Sequence, residues 1–220
     1  MELIMANRLS KEYINSLPII RFEGTVVTVT CVEQADEILA ALMKETYVGF
    51  DTESKPSFTK GTFHPVSLVQ FSTPDSAYLF QLKKTGFPAG LVELLENEKI
   101  HKIGVGIKSD IAKLQELKPF QPRGFVDLSQ LAAEKGIIQV GVRGLTARYM
   151  QHRLAKTAQK TNWAKPDLTW KQQIYAASDA WICLKIYPLL LADTMDYRQL
   201  KEVEVQPLHQ EKEFNAQTKN

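Results

Sequence analysis

The stretch Val48-Gly49-Phe50-Asp51-Thr52-Glu53 constrains this chain more than any other, because an apolar run there ends in two carboxylates with one residue between them. Alternate side chains of a strand share a face, so Asp51 and Glu53 project together from one rigid edge. Two acids at the end of a core strand are costly unless something positive neutralises them, and a divalent cation with oxygen ligands does so. Taken alone, Asp-x-Glu after an apolar run also fits an ordinary strand end or helix cap. The choice depends on what the rest of the chain sets beside it.

With 220 residues and 44% hydrophobic content the chain can build one substantial core. The expected organisation is an N-terminal extension over 1–18, one folded domain over 19–195 and a polar tail over 196–220. Cys31 and Cys183 lie in unrelated segments without Cys-x-x-Cys spacing. That argues against a zinc site or a disulfide framework and reads both as small core residues in a reducing compartment. The N-terminus lacks the apolar run of a signal peptide and no stretch approaches the length of a membrane span. A soluble, intracellular protein is expected, cytoplasmic in a prokaryote and without a membrane partner. A net charge of +2 selects no partner by itself.

Residues 19–22 and 25–30, joined around Gly24, read as a strand pair or hairpin, and 33–44 as a helix with Ala35, Ile38, Leu39 and Leu42 on one side. A loop over 54–64, with Pro56 and Gly61, leaves the mouth of the Asp51 strand. Strands over 66–71 and 77–80 follow, then a helix over 87–97, a strand over 102–107, a helix over 109–117, a short strand at 125–126 and a helix over 128–135 stopped by Gly136. Strands in a run, then alternating with helices, predict a mixed sheet with helices packed on it, in the α/β class.

Between Arg143 and Lys171 the chain carries Arg143, Arg148, Arg153, Lys156, Lys160, Lys165 and Lys171 against the single acid Asp167, with Trp163 and Trp170 among them. Positive charge with aromatic surface suits a nucleic-acid strand, and a solvated helix face with core tryptophans fits equally well. Thr169 and Gln172 have the spacing of a capping box, which starts a helix that Pro188 should kink or end about a turn before its own position. On that helix Tyr175 and Asp179 share a face among apolar neighbours. Asp110 follows the 102–107 strand, where the first turn of a helix favours an acid in any case. Gly104-Val105-Gly106 lacks the third glycine of a dinucleotide fingerprint, and the chain has no Walker-type loop.

Asp51-x-Glu53, then Asp110, then Tyr175-x-x-x-Asp179 resemble, in order, type and spacing, the three motifs of the DEDD 3′-5′ exonucleases of the tyrosine subclass. More narrowly, 102–110 and 175–180 are similar to the exonuclease domain of the Werner syndrome protein and its relatives. Gly144-Leu145-Thr146, Asn162-Trp163 and Leu168-Thr169 are similar to ribonuclease D. The resemblance covers about 20–191 and does not extend to the helicase of the former or the C-terminal helical domains of the latter. Gly106 stands where the family's second motif often has Asn, a residue that the Werner-like branch also lacks there.

This resemblance implies a ribonuclease H-like fold with a mixed five-stranded sheet, the Asp51 strand at its centre. It implies two Mg²⁺ or Mn²⁺ ions held by Asp51, Glu53, Asp110 and Asp179: Asp51 bridges them, Glu53 and Asp179 complete the nucleophile-side metal, Asp110 supports the other, and Tyr175 orients the attacking water. The implied partner is nucleic acid, single-stranded or the 3′ end of a duplex, DNA or RNA. Lys55, His64, Lys108 and Arg143 are candidate phosphate contacts, being near the motifs in sequence. The competing reading is a catalytically silent nucleic-acid-binding module of the same fold. Clustered acids that repel phosphate argue against it.

Overall fold

The computed structural model describes residues 8–59, 61–155 and 157–200. In chain order the elements are α1 (Lys11–Ser16), β1 (Thr25–Val29), α2 (Val32–Leu42), β2 (Tyr47–Ser54), β3 (Val66–Ser72), β4 (Ser76–Gln81), α3 (Leu82–Thr85), α4 (Ala89–Glu96), β5 (His101–Gly104), α5 (Lys108–Leu117), β6 (Phe125–Asp127), α6 (Leu128–Glu134), α7 (Val142–Met150) and α8 (Trp170–Ala192), closed by a 3-10 turn at Tyr197–Gln199. The strands form one mixed sheet in the order β1-β4-β3-β2-β5-β6. β3 runs antiparallel to β2 and β4, while β5 pairs parallel with β2.

The sheet therefore has six strands among the described residues rather than five. Both edges are short additions, five-residue β1 and three-residue β6, each paired in parallel to a single neighbour. The interior position of β2 agrees with the expectation. Alternation along it divides the core: Val48 and Phe50 face a cluster with Leu39 of α2, Leu91 and Leu94 of α4 and Leu114 of α5. Gly49, Asp51 and Glu53 face the opposite way, toward α8, which lies across β2, β3, β4 and β5.

The strand pair expected at 19–22 and 25–30 does not form. β1 instead joins β4 in parallel, starting from Thr25 N–H to Asp75 O at 3.0 Å. The preceding segment turns away and makes an isolated parallel bridge, Ile19 with Arg153. Gly24 permits the close approach of the two segments there, since a Cβ would collide with the Asp75 carbonyl oxygen. Ahead of this segment, Leu9, Tyr13, Ile14 and Leu17 pack on Ala147 of α7.

α8 runs through Pro188 to Ala192. The proline forfeits one intrahelical bond, but it sits on the exposed side while Ile186 and Leu190 are fully buried, and packing carries the helix on. Trp170–Ala192 is also long and apolar enough, by length and composition, to cross a membrane. Here it is a core helix, its apolar side chains Ala176, Ala177, Ala180, Ile182 and Ile186 being fully buried. Cys31 is exposed at the N-cap of α2, where the chain leaves the sheet edge, whereas Cys183 is buried as expected. Of the expected polar tail, 201–220 lies outside the described residues.

Candidate active site

Three elements deliver the acids. β2 ends in Asp51 and Glu53, and a register irregularity between Glu53 and Ser54 turns the chain out into the loop. α8 supplies Asp179, which reaches β2 because the two backbones nearly touch: a Cβ on Gly49 would collide with the Ala180 carbonyl oxygen and with Ser72 Oγ. Only glycine permits that approach. The capping box at Thr169 forms as expected, and Gln172 also donates to Thr161 Oγ1 at 3.1 Å, fixing the start of the helix. Ligand oxygens of Asp51, Glu53 and Asp179 all lie within 4.8 Å of one another.

Asp110 comes from α5, on the other face of the sheet, and stands outside that trio. Thr52 points toward that face and bridges the layers, its Oγ1 donating to Asp110 Oδ1 at 2.6 Å. The turn before α5 is held by Asp127, which accepts from the N–H groups of Gly106 at 2.8 Å and Ile107 at 3.2 Å. Gly106 has φ +70°, so the turn places a glycine where a side chain would be strained. Gln70, cross-strand from Asp51, is fully buried, and neither of its amide atoms has a hydrogen-bond partner among the described residues.

Burial raises the pKa of all four carboxyls, and neighbouring acids add to it at Asp51, Glu53 and Asp110. Asp51 is raised well above the carboxylate range by burial and then by Asp179 and Asp110. Glu53 is pushed up to about 10 by burial, then by Asp51 and Asp179, with Lys113 opposing. Asp179 is pushed up to about 7 by burial against a hydrogen bond from the Tyr175 hydroxyl. Asp110 is raised by burial while Thr52 and Lys113 hold it down. Burial, Asp179 and Glu53 raise Tyr175 in turn, so its hydroxyl keeps its proton and acts as a donor. Its ring rests near the buried Trp163, with centroids 5.9 Å apart.

Such a cluster is costly as it stands, and an all-oxygen donor set of this geometry matches a hard divalent cation. Two cavities open on it. One, of 370 Å³, is lined by Glu53, Asp110, Lys55, His64 and Lys113. The other, of 270 Å³, is lined by Tyr175, Asp179, Arg143 and Leu154, and Gln159 borders both. Lys55 and His64 thus line the first cavity and Arg143 the second, with the Arg143 guanidinium donating to Asn15 Oδ1 at 2.9 Å. Lys108 is exposed at the start of α5 and lines neither cavity.

The basic segment divides. Arg148 is buried with its guanidinium over the Tyr197 ring, Arg153 Nε donates to Leu17 O, and Trp163 is core. Lys160, Lys165, Lys171 and Trp170 are exposed, and Lys156 lies outside the described residues. Sequence reasoning passed over Thr52 and Lys113. Lys113 carried a signal, standing three residues after Asp110 on the same helix face. Thr52 carried none.

A family model described as 3′-5′ exonuclease matches residues 26–194. The chain belongs to the 3′-5′ exonuclease family. It is 33% identical over 215 residues to the bifunctional 3′-5′ exonuclease/ATP-dependent helicase WRN of Mus musculus, covering 92% of this chain and 15% of that protein. A 3′-5′ exonuclease of Arabidopsis thaliana is 30% identical over 199 residues, covering 83% of this chain and 69% of the relative. Among solved structures, ribonuclease D of Trypanosoma brucei in complex with RNA U12 superposes with a TM-score of 0.71 at 16% identity, covering 84% of this chain and 74% of that one, a likeness of fold. The cluster of Asp51, Glu53 and Asp179 lies at the C-terminal end of an interior strand, where open α/β sheets place their ligands.

Proposed function

We propose that residues 19–195 form a metal-dependent exonuclease domain that removes nucleotides from the 3′ end of DNA or RNA as nucleoside 5′-monophosphates. The observation that carries this is the meeting of Asp51, Glu53 and Asp179 oxygens within 4.8 Å of one another, with Tyr175 donating to Asp179.

In this reading Asp51, Glu53 and Asp179 would hold Mg²⁺ or Mn²⁺, and Asp110, which accepts from Thr52 Oγ1, would support a second ion. Divalent ions there supply a low-pKa water and neutralise charge on the phosphoryl group. Water oxygen bonds to phosphorus and releases one proton to solvent as the bond to the 3′ oxygen breaks, and that oxygen takes up one proton from solvent in its place. Tyr175, whose one hydroxyl proton goes to Asp179, orients the attacking water by accepting a hydrogen bond from it rather than deprotonating it. Lys55, His64, Lys113 and Arg143 offer positive charge or hydrogen bonds to the phosphates on either side. Lys108 is retained only as a more distant electrostatic contributor.

The test is digestion of matched 5′-labelled DNA and RNA strands with Mg²⁺, Mn²⁺ or EDTA, beside Asp51→Ala. The expected result is a metal-dependent ladder shortening from the 3′ end, slowed on the order of 10³-fold or more in the variant. Absence of cleavage of both strands with both ions would instead favour the silent binding module.

A further inference from the structure

A third cavity, of 240 Å³, shares Leu154, Ala155, Tyr175 and Asp179 with the Arg143 cavity, and the proposed chemistry makes no use of it. Ile20, Leu154, Ala155 and Ile174 make its walls apolar. At its mouth stands Trp170, the first residue of α8, 61% exposed at the start of a helix whose later apolar residues are largely buried. The Arg21 guanidinium lies 5.8 Å from the Trp170 ring centroid, and Lys171 lines the same cavity. Arg21 is otherwise engaged by Glu23 at 3.8 Å, an exposed pair that holds it weakly.

The outer wall is built rather than incidental. Ile20 N–H donates to Arg153 O at 3.0 Å and Arg153 N–H to Pro18 O at 2.9 Å, while Phe22 N–H donates to Ser178 Oγ at 2.9 Å. These bonds tie 18–22 alongside α8 and hold Arg21 beside the indole. This is why the segment does not pair with β1.

We propose that this cavity seats an unstacked base of the nucleic-acid strand whose 3′-terminal phosphodiester lies at Asp51, Glu53 and Asp179, with Trp170 as the stacking platform. The inference rests on the exonuclease reading for the identity of the strand. An exposed indole beside a guanidinium presents a flat, polarisable face that any base can cover, as an enzyme working from an end requires. Arg21 and Lys171 place positive charge where the sugar-phosphate chain must pass, offsetting the repulsion of the carboxylates. Continuity decides the occupant: Tyr175 and Asp179 line this cavity and the Arg143 cavity alike, so a strand held at the acids has one neighbouring nucleotide within reach of it.

The experiment compares wild type, Trp170→Ala and Trp170→Phe on short 5′-labelled strands carrying one abasic sugar at successive positions from the 3′ end. Initial rates give KM and kcat, and anisotropy of the same strands in EDTA gives Kd without cleavage. With wild type, one abasic position should raise KM and Kd roughly 10-fold. Trp170→Ala should raise both similarly on the intact strand with kcat within about twofold, should lose its sensitivity to that position, and should be largely rescued by Phe. The melting temperature checks that removing this exposed side chain leaves the fold intact. Equal KM and Kd for Trp170→Ala, or an unaltered abasic profile, would overturn the base site even where the ladder is normal. A wild type that binds with this profile but never cleaves would overturn the exonuclease and leave the base site standing. A wild type that neither cleaves nor binds would overturn both.

Discussion

Two aspartates borne by the same helix, Asp179 within α8 and Asp193 at its C-cap, are both buried, at 8% and 2% exposure, and are treated in opposite ways. Asp193 is surrounded by donors: the hydroxyls of Tyr149 at 2.7 Å and Tyr197 at 2.9 Å, and Met195 N–H at 3.0 Å. Asp179 is surrounded by acids, with Asp51 and Glu53 beside it and the Tyr175 hydroxyl as a donor. A buried carboxylate with its lone pairs satisfied is part of the scaffold. One packed against other carboxylates is unfinished, and a cation completes it. The same residue type on one helix thus marks structure in one place and, on the proposed function, chemistry in the other.

Exchanging the aspartates for alanine should separate these roles most widely. Asp179→Ala is expected to lower the exonuclease rate about 10³-fold with the metal-free fold at least as stable as wild type. Asp193→Ala should leave the rate per folded molecule unchanged and cost about 2–4 kcal/mol of stability, because two buried hydroxyls lose their acceptor. Denaturant melts and single-turnover rates on the same preparations check both. Equal stability losses in the two variants would break the contrast.

The tyrosines that serve these carboxylates should repeat the contrast on a smaller scale. Tyr175→Phe is expected to slow hydrolysis by roughly 10- to 100-fold while metal affinity stays near wild type, as for loss of a group that only positions a reactant. Tyr149→Phe should cost about 1–2 kcal/mol in stability and nothing in rate, since Tyr197 and Met195 still satisfy Asp193. A Tyr175→Phe enzyme of unchanged rate would remove the tyrosine from the mechanism.

Much of the acidic cluster in this comparison was readable in the sequence, and almost none of the scaffold around Asp193. Asp51-x-Glu53 and Tyr175-x-x-x-Asp179 announce themselves because strand and helix periods force each pair onto one face. Asp193 depends on Tyr149, 44 residues away, through a contact no local pattern encodes. Thr52 looked like the filler between two acids, yet alternation sends it to the opposite layer, where it steadies Asp110. The pairing of Ile19 with Arg153 was hidden for the same reason, since local strand propensity cannot name a partner. Pro188 misled because a local rule for helix ends competed with the burial of Leu190 and lost.

The most direct test is the melting temperature in EDTA and in saturating Mn²⁺, measured from pH 5 to pH 8 for wild type and Asp51→Asn. The acids of the cluster have raised folded pKa values, Asp179 about 7 and Glu53 about 10, against about 4 in the unfolded chain. The metal-free native state therefore holds protons that the unfolded chain has released. Its stability falls as pH rises through that window. Bound Mn²⁺ replaces those protons, so its effect must grow with pH. At 100-fold excess over Kd it should add about 2.7 kcal/mol, a rise of roughly 5–10 °C, near pH 8. Near pH 5 the rise should be small, and Asp51→Asn should lose most of it at every pH. A shift independent of pH, or one of full size in Asp51→Asn, would contradict a metal centre built on these carboxylates.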